Sequence, residues 1–245
     1  KFPRSISGQG VRDTLKYIKD YIPIEIKKID SGEKVFDWEI PPEWNINSAY
    51  VHDINNDKKV IDFNDNTLHV LGYSTSVNKE MGFEELESHL YYLKDLPEAI
   101  PYKTSYYEER WGFCLSYNKF KSINRNSRFK VVIDSSHDQE GVLNYGELII
   151  KGKSSKEIFI STYICHPQMA NNELSGPSVA TGLAASIINE NNYYTYRFVF
   201  VPETIGSIAY LSRKSSELIK RVICGFNLSC CGDNFKYTHI QSPFG

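Results

Sequence analysis

The chain has 245 residues, with 28 Lys and Arg against 30 Asp and Glu, for a formal net charge of −2. That balance, with no dense basic stripe, argues against nucleic acid or an anionic membrane as partner, because phosphate binding needs clustered cations. At 41% hydrophobic and 24% charged residues the sequence suits one globular domain with a smaller one inserted, and no apolar run approaches the ~18 residues of a membrane span.

Five cysteines, an odd number with Cys230 and Cys231 adjacent, do not form the pattern of a secreted disulfide framework. A reducing compartment, the cytoplasm, is the expectation, although a sequence opening at Lys1 leaves a preceding signal peptide open. In chain order, Val11, Leu15, Ile18 and Ile22 share one helical face, and Pro23 stops that helix. Residues 34–40 read as a strand that ends at Pro41-Pro42. From residue 44 to 122, short β-like runs are separated by Asn/Asp turn clusters such as Asn55-Asn56-Asp57, with one helix near 83–93. Residues 44–122 are therefore expected to form a β-rich domain inserted in a larger one built from 1–43 and 123–245. Two roles suit its placement: restricting access to a crevice, or mediating self-association into a homo-oligomer.

After Asn126 the pattern lengthens, and residues 129–133 and 146–150 read as antiparallel strands. Three near-continuous apolar runs, 157–164, 196–201 and 222–228, alternate with helical stretches at 176–189 and 206–220. Such runs read as strands buried on both faces. The order strand–helix–strand–helix–strand predicts a parallel α/β sheet with right-handed crossovers.

Ligands of open α/β sheets bind outside the carboxyl ends of the strands, so the residues after each run carry the information. Cys165-His166-Pro167 follows the first, Pro202-Glu203-Thr204 the second, and Ser229-Cys230-Cys231-Gly232-Asp233 the third. One imidazole and two carboxylates thus arrive at one sheet edge, the donor types of a hydrolytic Zn²⁺ site. Glu203 is the candidate general base; His166, Glu173 and Asp233 are the candidate metal ligands. Glu173 lies just before a helix start with Ser175 as N-cap, where it could equally complement the helix dipole. Asp233 could equally be a turn aspartate. Adjacent residues on an extended strand point to opposite faces, so Cys165 should point away from His166, which argues against a Cys–His dyad. His52-Asp53 and His137-Asp138 read as exposed turn pairs, and nothing in the sequence orients His239. No GxGxxG after a strand, P-loop, HExxH helix, GxSxG elbow or paired CxxC occurs.

The segments Ser161-Thr162-Tyr163-Ile164-Cys165-His166-Pro167 and Asn171-Asn172-Glu173-Leu174-Ser175-Gly176 resemble those of bacterial aminopeptidase-like proteins, distant relatives of the co-catalytic dinuclear zinc aminopeptidases. Pro202-Glu203-Thr204-Ile205-Gly206-Ser207 and Cys230-Cys231-Gly232-Asp233 extend the match, as do residues 101–107 and 111–114 within the inserted region. The resemblance implies a three-layer α/β/α sandwich with a mixed sheet, of the zinc-exopeptidase, phosphorylase/hydrolase-like kind. It implies one or two zinc ions, with His166 as first ligand and Glu203 as catalytic base. Three positions depart from the family pattern: Asn172, followed by Glu173, where a metal-bridging Asp is expected; Thr204 where a second Glu is expected; and Ser229 where a ligand Asp is expected, leaving Asp233 as a displaced substitute. A final His ligand, and often a winged-helix domain, would lie beyond Gly245.

The expected function is a metal-dependent exopeptidase or amidohydrolase acting on a small peptide or amide. The alternative is a degenerate relative that binds a peptide or amidated sugar without turnover. A cysteine-dependent hydrolase using Cys230 or Cys231 is a third and lesser reading.

Overall fold

The computed structural model describes residues 2–234 and 238–241. The chain divides into two compact units: Arg4–Pro42 with Gln139–Gly245, and Glu43–Asp138. The larger unit opens with α1 (Gln9–Lys19), β1 (Glu25–Asp30) and the short hairpin of β2 (Lys34–Val35) and β3 (Trp38–Glu39). The smaller unit follows as β4 (Glu43–Asp53), β5 (Lys58–Asp62), β6 (Val77–Gly82), α2 (Phe83–Glu87), β7 (Leu90–Tyr91), β8 (Phe113–Cys114), α3 (Tyr117–Lys121) and β9 (Arg128–Asp138). The larger unit resumes with β10 (Val142–Ile150), β11 (Glu157–Tyr163), α4 (Ser175–Ile187), β12 (Thr195–Val201), α5 (Ile205–Arg221) and β13 (Val222–Asn227).

In the smaller unit an antiparallel sheet of order β5-β4-β9-β6 carries a core that includes Ala49, Val51, Ile61, Phe129, Val131 and Ile133. The unit extends past residue 122 because β9 pairs with both β4 and β6 and cannot be separated from them. His52 and His137 lie on these strands, not in exposed turns. Asp53 is buried, and its carboxylate accepts hydrogen bonds from the backbone N–H groups of Asn55 and Asn56 at 3.0 and 3.2 Å. The His137 ring packs edge-on against Tyr73, 4.5 Å between centroids.

The larger unit is a mixed α/β fold around a five-stranded sheet of order β1-β10-β12-β11-β13. β10 pairs antiparallel with β1 and β12, whereas β11 runs parallel to both β12 and β13. Val11, Leu15 and Ile18 of α1 and Ala180 and Ala184 of α4 pack with Leu148, Ile150, Ile160, Phe198 and Phe200. Residues of the other parity face the other way, and there Tyr210 of α5 meets Tyr145 and Phe159. The result is three layers: α1 and α4, the sheet, then α5.

On the α5 face the fully buried Arg197 holds a charge network. Its guanidinium donates to both oxygens of Glu157 at 2.6 and 3.0 Å, to Glu147 at 2.6 Å and to Glu217 at 2.7 Å. Tyr210 donates its hydroxyl to Glu147 at 2.6 Å, and Lys27 pairs with the same carboxylate.

Local structure departs from the sequence reading at four places. The strand expected over 34–40 is a hairpin, turned at Phe36 with φ of 57°. The helix expected near 83–93 ends at Glu87, and Leu90–Tyr91 pairs with β8. β9 and β10 do not pair with each other; each runs antiparallel to its partners in a different sheet. β13, expected to be buried on both faces, pairs among the described residues with β11 alone and leaves Ile223 and Phe226 exposed.

β11 leads through α4 to β12, and β12 leads back past β11 through α5 to β13. Direction along the sheet and face of the helix both reverse, so the two crossovers share one hand. The helices after β11 and β12 also leave toward opposite faces from adjacent parallel strands. That is the topological switch point, where a crevice opens between strand ends. Among the described residues no helix is long and apolar enough to cross a membrane.

Candidate active site

Tyr163 and Val201 are paired in register at the ends of β11 and β12, and His166 and Glu203 stand just beyond them. His166 Nε2 lies 3.1 Å from Glu203 Oε2. The imidazole is buried, whereas the Glu203 side chain is half exposed, so solvent reaches this pair from the carboxylate side.

The other ring nitrogen faces the turn before α4. Nδ1 is 3.0 Å from Asn172 Oδ1 and 3.1 Å from Glu173 Oε2. The first contact is a hydrogen bond; the second is at ion-pair distance without hydrogen-bond alignment. Glu173 is wholly buried, and neither of its oxygens has a hydrogen bond among the described residues. It belongs to a π-helical turn, Ala170–Leu174, that feeds directly into α4. Ser175 is consequently the first residue of α4 and not its N-cap; its hydroxyl accepts instead from the Cys231 N–H at 2.8 Å.

Asn171 ties the third strand end to the same turn. Its side chain accepts from the Gly232 N–H at 2.7 Å and donates to Asp233 Oδ2 at 3.0 Å. Asp233 is exposed and engaged with Asn171, so the structure does not bring its carboxylate into the His166–Glu203 pair. His239 is likewise exposed. Two of the three family-pattern departures have hydrogen-bonding roles: Asn172 holds His166, and Ser229 shares a 2.7 Å hydrogen bond with Tyr163.

Sequence reasoning set Cys165 aside and passed over Arg4. β11 ends at Tyr163, so its alternation no longer governs residues 164–166, and Cys165 lies beside His166 instead of opposite it. Ligand atoms of Cys165, His166 and Glu203 all lie within 4.8 Å of one another, and the Glu203 N–H donates to Cys165 Sγ at 3.2 Å. Arg4, buried and far away in sequence, donates from Nε to the His166 carbonyl at 2.8 Å. No local pattern marks it.

Burial alone would lower the pKa of His166, but its contacts with Cys165 and Glu173 outweigh that and push it above the ordinary histidine value. Burial drives the Cys165 thiol upward, against an opposing pull from His166. Each strand-end loop also carries a non-glycine residue at positive φ: Gln168 at 61°, Thr204 at 59° and Cys230 at 52°. Thr204, with ψ of −82°, sits near the strained γ-turn region, unfavourable for a β-branched residue. The turn sets Glu203 at the junction of β12 and α5, and backbone strain of this kind clusters at functional sites.

The convergent S, N and O donors of Cys165, His166 and Glu203 fit one divalent ion.

A Clostridium acetobutylicum protein, whose name joins polysaccharide biosynthesis to an aminopeptidase-like domain, is 46% identical over 242 residues, 99% of this chain and 55% of the relative. A Clostridium acetobutylicum crystal structure named as a peptidase superposes with a TM-score of 0.92 at 47% identity, over 95% of this chain and 55% of the other. The chain thus spans about half the length of these relatives. The fold is also that of BSAP, a zinc aminopeptidase from Bacillus subtilis, with a TM-score of 0.58 at 11% identity over 94% of this chain and 65% of that one. A peptidase M28 precursor from Shewanella amazonensis shares it as well, with a TM-score of 0.54 at 10% identity over 90% of this chain and 66% of that one. Residues 1–245 match the sequence profile of the domain of unknown function DUF4910, and the chain belongs to that family.

Proposed function

We propose that this chain supplies the catalytic crevice of a metal-dependent exopeptidase or amidohydrolase acting on a small peptide or amide. The observation that carries the reading is the 3.1 Å approach of His166 Nε2 and Glu203 Oε2 at the switch point of a zinc-aminopeptidase-like fold. A zinc ion, when bound, supplies Lewis acidity toward a carbonyl and toward water. His166 Nε2 would hold it. Glu173, sealed behind Nδ1, fixes the ring and balances charge. Asp233 would have to leave Asn171 to contribute. Glu203, the half-exposed member, takes a proton from the attacking water and returns it to the leaving amine. Five unpaired cysteines support a reducing setting such as the cytoplasm.

The test is metal content and amide hydrolysis of the full-length protein, wild type against Glu203→Gln. Stoichiometric zinc with hydrolysis lost in the variant is expected. A protein that takes up no divalent metal under any condition overturns the reading.

A second reading, ligand binding without turnover, is favoured by the hydrogen bonds of Asn172 to His166 and Ser229 to Tyr163, which occupy expected ligand positions with neutral groups. The polysaccharide-biosynthesis part of the relative's name makes an amidated sugar the ligand class to try. Binding that persists in chelator, with no hydrolysis, would select it.

A further inference from the structure

We infer that Cys165 is a metal ligand, so that Cys165 and His166 hold one ion through a soft donor and a nitrogen, with Glu203 beside it as the base. The inference rests on the metal-dependent reading above and specifies the donor set.

Three observations lead to it. First, the donor atoms are already gathered. Tetrahedral zinc, with bonds of ~2.3 Å to sulfur and ~2.0–2.1 Å to nitrogen or oxygen, sets donors roughly 3.4–3.6 Å apart. The three atoms here lie within 4.8 Å of one another, so the Cys165 and His166 donors need approach by at most about 1.4 Å.

Second, the remaining contacts of His166 leave Nε2 as the coordinating atom. Asn172 and Glu173 both occupy the Nδ1 side. A carboxylate or amide on one ring nitrogen orients the other toward an ion. Glu173 then acts as a positioning residue behind the histidine, and the coordination sphere needs another donor. Asp233 is turned to Asn171, and Cys230 and Cys231 engage Asn172 and the Ser229 carbonyl respectively. Cys165 is the sulfur that the structure groups with His166 and Glu203.

Third, the Cys165 sulfur has a backbone donor aimed at it. It is wholly buried, yet the Glu203 N–H points at it from 3.2 Å. Such a donor offsets charge on a thiolate sulfur. When the metal–sulfur bond forms, the S–H bond breaks and its proton leaves to solvent, so uptake releases a proton. A soft donor biases the site toward zinc or cobalt and against magnesium and manganese.

The full-length protein loaded with Co²⁺ is the probe. The wild type should show a near-ultraviolet sulfur-to-cobalt charge-transfer band. The band should vanish in Cys165→Ser and persist in Cys230→Ser and Cys231→Ser, with metal affinity of Cys165→Ser down by at least about tenfold. Should that buried substitution fail to fold, zinc-edge X-ray absorption on the wild type decides alone, through a scattering shell at ~2.3 Å. Bound metal with only nitrogen and oxygen neighbours, or a band unchanged in Cys165→Ser, overturns the inference while leaving a metal-dependent hydrolase intact. No metal uptake overturns both.

Discussion

His166 and Glu203 meet across the ends of two adjacent parallel strands, Nε2 to Oε2 at 3.1 Å, with the imidazole buried and the carboxylate open to solvent. The asymmetry separates their tasks. A buried ring keeps a fixed direction, whereas a half-exposed carboxylate can receive a proton and hand it on.

Glu203→Gln should therefore lower amide hydrolysis by about 10²–10⁴-fold. Its fold should hold, with unfolding free energy within ~0.5 kcal/mol of wild type, because the side chain is half exposed. Steady-state rates beside a urea melt check both halves. Wild-type turnover in the variant removes Glu203 from the mechanism.

Glu173→Gln keeps the shape of a wholly buried side chain and deletes its charge beside His166 Nδ1. Zinc affinity should fall about 10–100-fold, the usual cost of losing the partner behind a ligating histidine. Competition titration with a chromophoric chelator reads this directly. An unchanged affinity would mean that Asn172 alone orients the ring.

Arg197→Met should destabilise the larger unit by about 3–5 kcal/mol, since Glu147 and Glu157 would remain buried without their shared cation. Urea unfolding measures it. Replacing Glu157 with Leu in the same chain should recover part of the loss, as removal of both partners spares the unpaired charge.

The same network sets an acid limit. Burial works to raise the pKa of Glu147, but hydrogen bonds from Lys27, Tyr210 and Arg197 outweigh it and hold the group below its ordinary value of 4.5. Glu217 is held low in the same way, by Lys214 and Arg197 against the effect of burial. A depressed carboxylate stabilises the fold fully above its unfolded pKa, and the contribution disappears as pH falls through the native value. The urea midpoint should thus be insensitive to these groups above about pH 5.5 and drop below about pH 4.5, with a shallower drop in Arg197→Met. An equal acid slope in both proteins would assign the effect elsewhere.

Gly176→Ala tests the close approach of α4 to the strand ends. A Cβ at Gly176 would overlap the Leu228 carbonyl and the Thr162 hydroxyl. A cost of about 1–3 kcal/mol is expected, measured by thermal or urea unfolding. A neutral substitution would show that the third strand end yields freely.

Much of the architecture was legible along the chain, because periodicity and strand-end position are local properties. The helix through Val11, Leu15 and Ile18, the buried runs of β11 and β12, and the placement of His166 and Glu203 immediately after them all follow from spacing. What spacing could not reveal was where each strand stops being a strand. β11 releases the chain at Tyr163, so Cys165 escapes the alternation that would have turned it from His166. The same limit split the strand expected over 34–40 at Phe36.

Sequence by itself determined the donor types and the order in which strands deliver them to one edge, since buried parallel strands need long apolar runs and their loops must carry the polar groups. Tertiary structure alone decided which donors meet. Arg4 clamps the His166 carbonyl, Asn171 takes up Asp233, and Asn172 with Glu173 occupies one face of the imidazole. Those choices depend on atoms brought together from distant segments, and hydrogen bonds at 3 Å are settled by packing, which no one-dimensional spacing encodes.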